Sequence, residues 1–97
     1  MTLEEFQAAV SSDAPPRALP LALTALWWDA KGDWTRAHES AQQDEGPDGA
    51  WVHAYLHRKE GDNGNANYWY GRAGRTMSQL PFEQEWGEIA RTLLQRS

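Results

Sequence analysis

The clearest periodicity in the chain lies near its C-terminal end. Phe82, Trp86, Ile89, Ala90, Leu93 and Leu94 recur at i, i+4, i+7, i+8, i+11 and i+12. That spacing puts them on one stripe of a helix over about 82–96. Such a stripe needs a partner surface, either in the same chain or in a second copy, so a homodimer through this helix is one expectation. At the other end, Thr2-Leu3-Glu4-Glu5 reads as a capping box, with Leu3, Phe6 and Val10 on one face of a short first helix. Ser11 to Pro16 is a breaker stretch. Pro20 suits the first turn of a second helix reaching about Lys31, where Gly32 stops it. Asp33 then starts a third helix to about Gln43. Glu45-Gly46-Pro47-Asp48 reads as a loop, and a fourth helix spans about Gly49 to Glu60. Gly61 and Asp62 repeat the stop and start, and a fifth helix reaches Ala73 before Gly74. Strand signals are nearly absent.

The chain also repeats itself. Shifted by 29 residues, Ala25 falls on Ala54, Gly32 on Gly61, Asp33 on Asp62 and Ala37 on Ala66. Each copy is a helix, a Gly-Asp turn and a second helix. The glycine supplies a left-handed cap and the aspartate accepts the first free N–H groups of the next helix. The paired alanines stand where two helices would cross closely, with aromatic rings filling the wider spaces.

These residues resemble Sel-like repeats, relatives of the tetratricopeptide repeat. Asp62-x-x-Asn65-Ala66-x-x-Trp69-Tyr70-x-Arg72-Ala73 is similar to the second helix of such a unit, with Ala66, Tyr70 and Ala73 at its small, aromatic and small positions. Ala25 and Trp28 match the small and aromatic positions of the first helix, and His57 stands at that aromatic position in the second copy. The stretch from about Leu26 to Gly74 also resembles a group of small microbial helical proteins without an assigned activity. The resemblance implies a fold and carries over no catalytic residue. The expected architecture is a single all-α domain, 1–97, of about six helices. Two stacked helix-turn-helix hairpins, about 20–43 and 49–73, would be capped by the first and last helices.

Composition changes this picture in one respect. Leu, Ile and Val total only twelve, against fourteen Ala and six Trp, so the core must be built from indoles and small residues. Each buried Trp removes on the order of 200 Å² from water, so six can replace a conventional aliphatic core. Nine Lys and Arg against fourteen Asp and Glu leave a formal net charge of −5, which argues against nucleic acid or an anionic membrane as the main partner. No apolar run approaches the roughly 20 residues of a membrane span. The acidic start Met1-Thr2-Leu3-Glu4-Glu5 is unlike a signal peptide, and the chain has no cysteine. The expected compartment is the cytoplasm.

Chemistry is concentrated in the repeat. His53 and His57 are i, i+4 on the fourth helix and present two imidazoles on one face. His38 lies on the helix expected to pack beside it, so His38, His53 and His57 are candidate ligands for Zn²⁺ or another divalent ion. The alternative for the same residues is a core role, His57 filling a repeat aromatic position. The sequence His-Ala-Tyr-Leu-His lacks the glutamate of zinc proteases, and no catalytic residue is assigned. Asp29, Glu39, Glu60 and Asp62 cluster around the same turns, although helix capping alone accounts for the aspartate at 62. Arg58 beside Glu60, with Arg72 and Arg75 one helix away, could brace two helices or hold an anion. Two functional expectations follow. The first is a protein- or peptide-binding module whose groove is lined by Trp28, His53, His57 and Arg58, with Glu60 and Arg72 nearby. The second is a small-ligand or metal-binding enzyme or sensor with a pocket around His38, His53, His57 and Glu60.

Overall fold

The computed structural model of the protein describes residues 1–96. Six helices follow in order: α1 (Leu3–Ala9), α2 (Leu21–Ala30), α3 (Trp34–Gln43), α4 (Pro47–Lys59), α5 (Asn63–Arg72) and α6 (Phe82–Arg96). The described residues contain no strand. The helix ends are those the local chemistry dictates. Thr2 and Glu5 satisfy each other's backbone N–H at the start of α1, at 3.1 and 2.7 Å. Asp33 and Asp62 accept from the N–H groups of Arg36 and Asn65. Pro47 opens α4 two residues earlier than Gly49, because a proline loses nothing at a position whose N–H has no helical partner.

Gly32 and Gly61 take positive φ values of 82° and 86°. In both turns the glycine N–H reaches back to the carbonyl of the next-to-last helical residue, Asp29 or Arg58. The following aspartate N–H reaches the carbonyl before that, Asp33 to Trp28 at 3.0 Å and Asp62 to His57 at 2.9 Å. The 29-residue repeat is therefore a repeat of capping geometry. Ala25, Ala37, Ala54 and Ala66 are all fully buried, and α2 with α3, and α4 with α5, form two close antiparallel pairs.

The stack has an order that positions the site. α4 touches α2, α3, α5 and α6, whereas the backbones of α3 and α5 do not meet. Every residue from Gly49 to His57 is buried. α6 packs on both α2 and α4, and its stripe is spent inside the chain: Trp86, Ile89, Ala90 and Leu93 are in the core. Leu94 is half-buried, and Phe82 is exposed, with the Arg58 guanidinium 4.5 Å from its ring centroid. α1 lies against α6, with Phe6 stacked on Trp86 at 5.5 Å. The terminal helices thus cap the stack together from the side of α2 and α4, rather than one at each end. Three indoles pin the elements through backbone carbonyls: Trp27 donates to Ala9, Trp34 to Leu56 and Trp86 to Leu26, each at 3.0 Å. Each of these burials satisfies the one polar atom the ring carries.

Two charged pairs also differ from the arrangement expected of the sequence. Arg58 does not meet Glu60; it donates from Nε and Nη2 to the fully buried Glu85 of α6, at 3.0 and 2.8 Å. The Tyr70 hydroxyl donates to the other oxygen of Glu85. Lys59 reaches Asp29 at 2.9 Å, and Tyr55 donates to the same carboxylate at 2.7 Å. Among the described residues, no helix is long and apolar enough to cross a membrane.

Two stability measurements check this packing. A Cβ at Gly49 would overlap the Asp44 backbone carbonyl and lie 2.5 Å from the Asp44 Cβ, so Gly49→Ala should lower unfolding free energy by about 2–3 kcal/mol in urea titration. Arg58→Met leaves Glu85 charged and buried with only Tyr70 for company, and should cost about 3–5 kcal/mol. Combining Arg58→Met with Glu85→Leu should recover most of that loss.

Candidate functional site

Because α3 and α5 flank α4 without touching, a gap opens over α4 with one helix on either side. His53 and His57, one turn apart on α4, face into it, and α3 contributes His38. Ring centroids are 4.8 Å apart for His53 and His57, 4.5 Å for His38 and His53, and 5.2 Å for His38 and His57. One nitrogen from each of the three lies within 4.8 Å of the others. The three imidazoles named from spacing alone do converge.

Two indoles enclose them. Trp34, one turn before His38 on α3, stacks on the His38 ring at 4.9 Å and meets His57 edge-on at 6.0 Å. Trp69 of α5 stacks on His53 at 4.0 Å. Both were absent from the sequence candidates. The spacing of Trp34 and His38 is the same i, i+4 relation that marks His53 and His57, so the signal for Trp34 was present. Trp69 carried no comparable mark, because its partner lies on another helix.

Glu60, in the cap of α4, accepts a hydrogen bond from His57 Nδ1 at 2.7 Å. A carboxylate accepts only, so Nδ1 is the donor in this bond. Asp62 lies close enough that His57, Glu60 and Asp62 form a second group with ligand atoms within 4.8 Å of one another. Asp62 is already engaged as the cap of α5, by the backbone and side-chain N–H groups of Asn65.

The remaining predicted residues divide. Arg72 joins the edge of the site: its guanidinium lies 5.4 Å from the Trp69 centroid and donates to the Tyr68 hydroxyl at 2.9 Å. With His53 and Trp69 it lines a cleft of about 400 Å³, together with Gln42, Asp44 and Glu45. Arg58 and Trp28 do not join. Arg58 is committed to Glu85 of α6, and Trp28 packs edge-on to Trp27 beneath the guanidinium of Arg36. Arg75, paired in the sequence reading with Arg72, lies instead over the Trp51 ring. Asp29 and Glu39 do not join the cluster: Asp29 is bound by Tyr55 and Lys59, and Glu39 faces solvent, acting on His38 only through its charge.

No family model, curated protein or solved structure matches this chain. The functional argument therefore rests on the geometry of the site.

Burial pushes the pKa of His53 down to about 4, helped by repulsion from His38 and His57. Burial also lowers His38, with His57 next in effect. Both rings are neutral at pH 7 and able to act as ligands. In the unfolded chain a histidine titrates near 6.5, so between pH 6.5 and about 4 the unfolded state binds more protons than the folded one. Stability is therefore complete above that window and falls as the pH drops through it, by about 3 kcal/mol for His53 alone. Urea titrations across this range should show that loss. His53→Phe, which keeps a ring against Trp69, should remove most of it.

Proposed function

We propose that the protein is a metal-binding domain in which His38, His53 and His57 hold one divalent transition-metal ion, Zn²⁺ being the natural candidate. The observation that carries this reading is the convergence of three imidazole nitrogens, from two helices, within 4.8 Å of one another. Imidazole suits Zn²⁺, Cu²⁺, Ni²⁺ and Co²⁺ better than the hard ions Mg²⁺ and Ca²⁺. Zn–N bonds of about 2.0–2.1 Å require the rings to draw in slightly, and the half-buried His38 is the ring with room to turn. The second requirement of such a site is an acceptor that orients a ligating ring. Glu60 supplies it, holding the His57 ring through Nδ1. Burial favours the neutral, ligand-ready form of His53 and His38.

The protein-binding reading has less to support it. The residues expected to line a groove lie on different surfaces: His53 and His57 face the gap between α3 and α5, Arg58 meets Glu85 of α6, and Trp28 lies edge-on to Trp27. Its remaining support is the general habit of helical repeats to present surfaces to partners.

The metal reading is tested by measuring zinc content of the purified protein and its melting temperature against added Zn²⁺. A hundredfold excess over Kd contributes about 2.7 kcal/mol, which for a chain of this size is a rise of roughly 10–20 °C. His38→Ala should abolish the rise with the fold retained, because that ring is only partly buried. Glu60→Gln should weaken zinc binding about 10–100-fold. Protein that contains no metal and shows no shift with Zn²⁺, Co²⁺, Ni²⁺ or Cu²⁺ overturns the proposal.

A further inference from the structure

We infer that the cleft of about 550 Å³ between the ends of α1, α2 and α4 and the start of α6 binds a small arylalkyl ammonium ion, with Asp29 as acceptor for its charged end. None of the three clustered histidines lines this cleft, and its size is that of a small-molecule site.

Helix ends set its charge. Val10 caps the C-terminus of α1, Asp29 and Ala30 end α2, and Lys59 ends α4, and all four line the cleft. The C-terminal end of a helix carries a partial negative charge, so three such ends at one place favour a cation there. α6 faces them with its first turn, whose positive end is met by its own Glu83 and Glu85.

The side chains act in the same sense. Two carboxylates, Asp29 and Glu83, against one ammonium, Lys59, leave the lining with one net negative charge. The neighbours just outside do not reverse it. Arg58 is matched by Glu85 at 2.8 Å. Lys31 lies over the Trp27 ring, and Glu60, which shares a small adjoining cleft with Asp29 and Lys59, offsets it. A monocation therefore brings the cleft to neutrality.

Asp29 gives that cation a fixed acceptor. Its carboxylate is buried and held from two sides, by the Tyr55 hydroxyl at Oδ2 and by Lys59 at Oδ1. A carboxylate offers about four lone-pair sites, and these two bonds use two of them. A primary ammonium carries three donors and can take the remaining sites, or displace the Lys59 arm, the more exposed partner of that pair. The rest of the wall suits an aromatic body. Tyr55, Phe82 and Trp86 contribute rings, and Val10 and Ala30 add aliphatic surface. Phe82 is the exposed ring among them, and covering it is a gain that a purely polar ligand forgoes.

The experiment uses the full chain and follows its indole N–H signals by NMR as phenethylammonium is added. The Trp86 signal should move saturably, and that of Trp69, which stacks on His53, should stay in place. Phenylacetate, of opposite charge, and phenethyl alcohol, without charge, should bind at least about tenfold more weakly. Asp29→Asn should weaken phenethylammonium about tenfold. Glu83→Gln, on an exposed side chain, should weaken it about threefold and serves if Asp29→Asn folds poorly. Lys59→Met should tighten it about threefold, because it frees an oxygen of Asp29 and removes the cation of the lining; a pair that only braces α2 against α4 gives no such gain. The inference is overturned by a Trp86 signal that ignores phenethylammonium, by movement of Trp69 in its place, by phenylacetate or phenethyl alcohol bound as tightly, or by unchanged affinity in all three variants.

Discussion

The central helix α4 is buried on every side, and the rest of the molecule is arranged around that constraint. Nine consecutive residues, Gly49 to His57, have no appreciable contact with solvent. An ordinary amphipathic helix turns its polar residues outward, but this one has no outward face over two and a half turns. Its small residues, Gly49, Ala50 and Ala54, let neighbouring backbones approach, and its large ones fill the space between hairpins. Two of the nine are histidines. A buried imidazole must be neutral, paired or ligating, and the rings of Trp34, His38 and Trp69 with the carboxylate of Glu60 are what the fold supplies to meet that need. Site and core are the same packing problem viewed from the two faces of α4.

On the opposite face, the same helix meets α6 through charge. Glu85 is enclosed completely, and it is tolerable there because Arg58 and Tyr70 bring donors from α4 and α5 to its two oxygens. An apolar stripe alone could slide along α2 and α4; a buried carboxylate with three directed donors fixes one register. The indole N–H of Trp86, bonded to the Leu26 carbonyl, acts in the same sense from α2. α6 is thereby a structural part of the hairpin pair.

Much of this was legible in the sequence, for identifiable reasons. Gly32-Asp33 and Gly61-Asp62 announce their turns because cap chemistry is local, decided within four or five residues. The alanines at 25, 37, 54 and 66 are legible because the repeat superimposes them. His53 and His57 announce a shared face by spacing, and His38 follows once the hairpins are expected to stack. What was hidden depends on contacts between distant segments. Nothing near Arg58 says that its carboxylate lies 27 residues away at position 85 rather than two residues away at Glu60. The stripe of α6 shows that it needs a surface, but not that the surface is the inner face of α2 and α4. Trp69 reads as one aromatic among many until α5 is placed beside His53. Trp28, expected to line a groove, is only half-buried and sits under Arg36, apart from the site.

The three imidazoles are unequally held. His53 and His57 ride on the most deeply enclosed helix, whereas His38 sits half-exposed on α3, which packs on α2 and α4 and leaves its other side to solvent. A ligand set of this kind has a hinge side. The pair on α4 stays in place for as long as the domain is folded, but the third donor leaves whenever α3 lifts or its side chain rotates. The lifetime of an ion in the site would then follow local opening of one ten-residue helix, an event far more frequent than global unfolding.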